Sequence, residues 1–236
     1  MTTEIVSGQV GAVQSASVNI KEIMGPDQEE ACFWLHLLQN QFPLSEQVPA
    51  GSVLRLFQAK GRGEAVDSHF FTAHDPVGGE PIGMAWIQNH PEVETAALWY
   101  LAVAPGKEGH GYGGSLLTQI CRRAFEEDRY RLLVMEVETD EGHSPDMPGE
   151  AERLRQIDQR NRFYMHRHDA LRLTGIHYTQ QVENHAAVPM DLLVIFNPAL
   201  PPLLPEETFV RLKTVFANAL QRQGPLDLSS ELPNCR

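Results

Sequence analysis

A chain of 236 residues, 42% hydrophobic and 21% charged, can bury a substantial core as one large domain or as a domain with extensions. Its formal charge of −12 disfavours attraction to nucleic acid, which rests on Lys and Arg neutralising phosphates, so no nucleic-acid partner is expected. Cys32, Cys121 and Cys235 are far apart and show no CxxC spacing, which argues against a disulfide framework or a zinc cluster; no apolar window reaches membrane-spanning length and the first twenty residues show neither a signal nor a transit pattern, so a cytoplasmic protein without a membrane partner is expected.

The first elements expected are a strand over residues 15–24 (SASVNIKEIM), after a flexible segment 1–14, and a helix over 27–42 with Asp27 as its cap and Ala31, Trp34, Leu35 and Leu38 on one stripe. SVLRLFQAKG (52–61) and SHFFTAHDPVGGEPIGMAWIQNH (68–90) read as strands of a hairpin or meander, with DPVGG supplying the turn. AALWYLAVA (96–104) is a strand, GSLLTQICRRAFEED (114–128) a helix, and YRLLVMEVE (130–138) a dense apolar strand suited to a sheet centre. An irregular acidic segment follows, then the helix AERLRQIDQRNRFYMHRH (151–168) and the strand MDLLVIF (190–196). PEETFVRLKTVFANALQRQ (205–223) reads as a C-terminal amphipathic helix with Phe209, Leu212, Val215, Phe216 and Leu220 on its apolar face. That helix either packs on its own domain or joins a second subunit in a homodimer.

Between the strand 96–104 and the helix 114–128 lie five glycines in nine positions. Read literally, Gly109, Gly111 and Gly114 satisfy GxGxxG, and Glu136 lies where a dinucleotide fold carries its ribose-binding acid. In that fold, however, the strand runs almost directly into the first glycine, whereas Ala104, Pro105, Gly106, Lys107 and Glu108 intervene here. A strand ending at Val103, a Pro-containing turn and glycines at 109, 111, 113 and 114 suit a different design. There, backbone N–H groups at a helix start are aimed at an anion, and missing side chains let a pyrophosphate approach. A tight turn alone needs one glycine, not four in six residues.

This stretch resembles the pyrophosphate loop of the GNAT acyl-CoA N-acetyltransferases, whose pattern is V-x-P, three further residues ending in Gln or Arg, then G-x-G-x-G. Val103, Pro105, Gly109, Gly111 and Gly113 fall in register with it without a gap, and Glu108 stands where the family usually has Gln or Arg. A second family element, a helix ending in F-Y-x-x-x-G, is matched by Phe163 and Tyr164, although His168, Asp169 and Ala170 replace the usual end and Ile157 stands at the usual Asn. The resemblance covers roughly residues 15–198, taken as an acetyltransferase domain, with 199–236 as a C-terminal extension. It implies a layered α/β fold: a mixed, mostly antiparallel central sheet flanked by helices, with a strand splayed at the CoA site and the C-terminal helix as an addition.

The resemblance further implies transfer of an acetyl group from acetyl-CoA, as co-substrate, to a primary amine of a small molecule, peptide or protein. Leu101, Ala102 and Val103 would meet the pantetheine arm and the thioester, and Glu108, Gly109, His110 and Gly111, with Tyr112, Gly113, Gly114 and Ser115, the pyrophosphate. Tyr164 would be the general acid toward the departing thiolate. Glu94, Glu136 and Glu138 are candidate bases by proximity, and deprotonation through water is the alternative to all three. The acidic segment 136–152 holds seven acids and no Lys or Arg, fitting either attraction of an ammonium substrate or a solvated insertion. His143, His166 and His168 lack metal-ligand spacing, so no metal is expected. Two other readings stand beside the enzyme: an acyl-CoA-binding module without transfer, and an NAD(P)-dependent oxidoreductase resting on the literal GxGxxG.

Overall fold

The computed structural model describes residues 17–140, 149–180 and 187–231. Its strands are β1 (Asn19–Glu22), β2 (Ser68–His74), β3 (Pro81–His90), β4 (Thr95–Val103), β5 (Leu132–Glu138), β6 (Leu171–Gln180), β7 (Val188–Phe196) and β8 (Leu220–Ser229). They form one sheet in the order β1-β2-β3-β4-β5-β7-β6-β8, in which β4 and β5 are the parallel pair and all other neighbours are antiparallel. The mixed, mostly antiparallel sheet expected from the sequence is therefore the fold. The helices are α1 (Glu29–Gln41), α2 (Ala50–Gly61), α3 (Tyr112–Arg122), α4 (Glu150–Arg167) and α5 (Pro205–Val215). None of the described helices is long and apolar enough to cross a membrane.

Alternation along the strands sends side chains to two faces. Phe71, Ala85, Ile87, Leu98, Leu133 and Met135 pack with Leu116, Leu117 and Ile120 of α3 and Tyr164 and Met165 of α4. On the other face, Phe70, Met84, Trp86 and Tyr100 pack with Trp34 of α1 and Phe57 of α2, while Ala97, Leu132 and Val134 pack with Leu212 of α5. Trp34 is fully buried, set edge-on to Phe57, Phe70 and Tyr100, and its indole N–H donates to the Ala85 carbonyl at 3.2 Å.

Three local expectations need correction. Residues 52–61 are helix, not strand: Val53, Phe57 and Lys60 are its buried positions, a helical spacing that the run of apolar residues around them obscures. Lys60 is buried because its ammonium bonds Glu22 at 2.6 Å and the Ser68 carbonyl at 3.0 Å. Glu22 also meets His69 at 2.8 Å; burial pushes its carboxyl up, but hydrogen bonds from His69 and Lys60 prevail and hold it at about 2. This cluster fixes α2 to β1 and β2. Second, α1 is capped at Gln28 rather than Asp27, and Gln28 Oε1 accepts from Met24 N at 2.6 Å. Leu35 is half-buried while Leu37 joins the buried stripe.

Third, the helix expected over 205–223 ends at Val215. Ala217 takes a left-handed conformation (φ 47°), and β8 then pairs antiparallel with β6, a strand whose broken alternation hid it in the sequence. Phe216 and Leu220 still face the core beside Leu212, but from the C-cap of α5 and the start of β8. The hairpin turn at 75–79 forms as expected: Asp75 Oδ1 accepts from Val77 N at 2.8 Å and Gly78 N at 3.2 Å.

At Gly175 (φ +79°) a Cβ would lie 2.0 Å from the Pro225 carbonyl oxygen, so β6 and β8 meet only because that side chain is missing. Gly175→Ala is expected to lower stability by about 2 kcal/mol or more in denaturant titration. Unchanged stability would mean that the β6–β8 contact does not form as described.

Candidate functional site

The site begins with a fault in β4. Trp86 pairs with Tyr100 and Ile87 with Leu98, so Trp99 is a bulge residue. The extra residue shifts the alternation: Leu98 stays with α3 and α4, whereas Trp99 and Tyr100 both join the clusters on the α1, α2 and α5 side. Pairing of β4 with β5 runs from Thr95 opposite Leu132 to Leu98 opposite Met135 and stops there, although β4 continues to Val103 and β5 to Glu138. The expected splay is present.

A cleft of about 350 Å³ opens into it, bounded by β4 from Leu98 to Val103, by Met135 and Glu136 of β5, and by Gln156, Arg160, Phe163 and Tyr164 of α4. A second cavity of about 690 Å³ lies beside it, sharing Trp99, Tyr100, Glu136 and Gln180.

Glu108 borders the cleft where the glycine loop begins. Its carboxylate turns back on its own loop and accepts from Gly106 N at 2.7 Å. The other loop side chains are likewise engaged in holding the turn. His110 Nδ1 lies 2.8 Å from the Glu108 carbonyl and its ring stacks on Tyr112; Tyr112 donates to Asp75 at 3.1 Å; Ser115 Oγ accepts from Val18 N at 3.0 Å; and Lys107 pairs with Glu80. Gly109 and Gly111 take φ of 76° and 84°, and α3 begins at Tyr112. Among the described residues, the backbone N–H groups of residues 109–114 donate to no protein acceptor. Six successive free donors at a helix start suit an anion.

The three candidate glutamates are separated by the fold. Glu94 is exposed in a left-handed turn at the far end of β4, paired with Arg211 at 3.2 Å, and borders neither cavity. Glu138 is buried against α4, paired with Arg153 and 4.0 Å from Arg160. Glu136 alone borders both cavities. Burial pushes its carboxyl up to about 7, and the charge of Glu46 adds to the rise, against hydrogen bonds from the Tyr178 hydroxyl and from Gln180 Nε2 at 2.8 Å. In a dinucleotide site this residue would meet a ribose; here it lies between two cavities. Tyr164 is buried on α4, and burial raises its phenol to about 12, so it holds its proton at neutral pH.

Sequence reasoning missed Tyr178 and Gln180, whose signal is their spacing of two on β6, and Glu46 and Arg160 at the cleft. Glu141, His143 and Asp146 lie outside the described residues; His168 packs on Phe163, with its Nε2 3.3 Å from where a Gly114 Cβ would stand.

The overall fold is shared with solved acetyltransferases. A spermidine/spermine N-acetyltransferase, SpeG, from Vibrio cholerae, solved with manganese ions, superposes with a TM-score of 0.50 at 12% identity, covering 78% of this chain and 94% of that one. The Vibrio cholerae spermidine N-acetyltransferase in complex with CoA and spermine gives 0.51 at 11%, covering 77% and 96%. A putative acetyltransferase of the GNAT family from Desulfovibrio desulfuricans gives 0.50 at 18%, covering 76% and 99%. In sequence, residues 32–146 match the model of the acetyltransferase (GNAT) family. No curated protein matches in sequence. The described residues hold no group of three metal-ligating side chains.

Acetyl-CoA and CoA are expected to raise the melting temperature by about 5–10 °C at a hundredfold excess over Kd, and NAD and NADP to leave it unchanged. Glu108→Gln keeps the acceptor for Gly106 and removes a charge beside the loop, and is expected to tighten CoA binding about two- to fivefold at low salt. A response to NAD alone, or weaker CoA binding in the variant, contradicts the loop assignment.

Proposed function

We propose that the chain is an N-acetyltransferase that moves an acetyl group from acetyl-CoA to a primary amine by direct attack in a ternary complex. The observation that carries this reading is the desolvated carboxylate of Glu136 between two cavities, beside a strand whose residues 99–103 have no pairing partner on the β5 side. Leu101, Ala102 and Val103 would pair with the pantetheine arm as an added strand does and offer N–H groups to the thioester carbonyl. The free N–H groups of residues 109–114 would take the pyrophosphate, and Glu108, turned into its own loop, would leave them clear. When bound, acetyl-CoA supplies the activated acyl carbon.

The chain supplies the proton traffic. An amine arrives as an ammonium, and Glu136, poised near neutrality, takes one proton to free the lone pair. As the new C–N bond forms and the C–S bond breaks, the thiolate gains a proton from Tyr164, and the nitrogen loses a second proton that restores the Tyr164 phenol. Tyr164, at the cleft wall with its proton in place, is the donor to sulfur. The net products are an amide, CoA as the thiol, and one proton, which Glu136 releases to water. Glu94 and Glu138 have no part in this scheme, being paired with arginines away from the second cavity.

The pH profile tests the base. Glu136 acts only when ionised, so kcat/KM is expected to fall as the pH drops below about 7. Glu136→Gln should remove that limb and lower kcat about 100-fold or more, read as CoA release; an unaltered profile in the variant would exclude Glu136. Tyr164→Phe should lower kcat about 100-fold while leaving CoA affinity unchanged, and full turnover would remove Tyr164 from the mechanism.

A further inference from the structure

Three of the aromatic side chains that wall the second cavity have their polar ends already engaged. The Trp99 indole N–H donates to Gln88 at 2.9 Å. The Tyr100 hydroxyl donates to the Glu46 carbonyl at 2.6 Å and accepts from Val48 N at 2.9 Å. The Tyr178 hydroxyl donates to Glu136. Trp99, Tyr100 and Tyr178 therefore offer a ligand ring faces and edges, while the buried Trp86 indole N–H and Gln180 Oε1 have no partner among the described residues and stay open to a ligand. Trp86 stacks on Tyr100 with centroids 5.8 Å apart, and Trp99 is inclined to Trp86 by 51° at 6.4 Å, which gives two non-parallel aromatic walls. Among the described residues bordering this cavity, Glu136 is the single carboxylate.

We infer that the second cavity takes an amine with one positive charge on an aromatic or bulky apolar body, its nitrogen directed at Glu136 and its body against Trp86, Trp99 and Tyr100. This rests on the acetyl-transfer reading above and names its acceptor. One ammonium is matched by one carboxylate and by ring faces that attract a cation. A polyamine would bring a second or third ammonium to a wall with no further acid among its described residues, and burying an unpaired charge is costly. A cavity of about 690 Å³ is in the range that encloses a small organic ligand. Its far wall comes from His177 and Tyr178 of β6 and from Ala219 and Gln221, where β8 begins, outside the stretch 32–146 that defines the family. The C-terminal part of the chain thus shares in acceptor choice with Glu136 and the three rings.

Initial rates of CoA release should be measured on the full chain with 2-phenylethylamine, butylamine, spermidine and a short peptide with a free N-terminus. Binding of the same amines should be followed separately by quenching of tryptophan fluorescence without acetyl-CoA. The phenyl amine is expected to exceed butylamine and spermidine in kcat/KM by about tenfold or more, the gain from burying its ring, and to quench at the lowest concentration. Ala219→Phe, which fills one wall of the second cavity alone, should lower kcat/KM for phenylethylamine about tenfold and leave the thermal response to CoA unchanged. A preference for spermidine or the peptide in either assay overturns the inference. Saturable quenching by phenylethylamine without CoA release from any amine sustains the ligand class and overturns the transfer reading instead.

Discussion

Everything at the site depends on the bulge at Trp99. A strand alternates its side chains strictly, and one extra residue is the least change that puts two neighbours on the same side. Here it turns both Trp99 and Tyr100 toward α1, α2 and α5, where the Trp99 ring meets Phe216 at 5.8 Å and Tyr100 reaches the loop after α1. The register of β4 on β5 fails next to it.

Two buried carboxylates show how differently the same group is used. Glu22 is desolvated yet surrounded by Lys60 and His69, so its charge is favoured and it ties α2 to the sheet. Glu136 receives only neutral donors, from Tyr178 and Gln180, and faces another acid, Glu46, so burial dominates and its proton is easily exchanged near neutral pH. The linkage has opposite signs. Glu22 binds its proton more weakly in the folded chain than in the unfolded one, adding stability above its unfolded pKa that is lost as the pH falls toward about 2. Glu136 binds its proton more tightly when folded, so its contribution to stability declines as the pH rises from its ordinary carboxylate range toward 7. A carboxylate that costs stability in its ionised state is suited to accepting a proton there.

What could be read from the sequence was local. The strand, Pro105, the spaced glycines and the helix start are contiguous, so the loop at 103–114 was legible and so was the mixed sheet around it. Residues 52–61 were misread because Val53, Leu54, Leu56 and Phe57 make a run that either period accommodates, with the deciding buried position held by a lysine. β6 and β8 escaped notice because Gly175, Gly224 and Pro225 interrupt their patterns, each needed where the two strands meet. The partners of Glu136 were illegible for a further reason. Tyr178 is more than forty positions away in the chain and comes near only through the register of β5 on β7 and β7 on β6.

The opening in the sheet also has a mechanical side. On one side stand β1 to β4 and on the other β5, β7, β6 and β8, stitched directly by the four paired positions from Thr95 to Leu98. A ligand lying along the unpaired part of β4 would lengthen that seam, so its occupancy would stiffen the joint between the two half-sheets, and the relative motion of the halves would be quieted by the substrate itself.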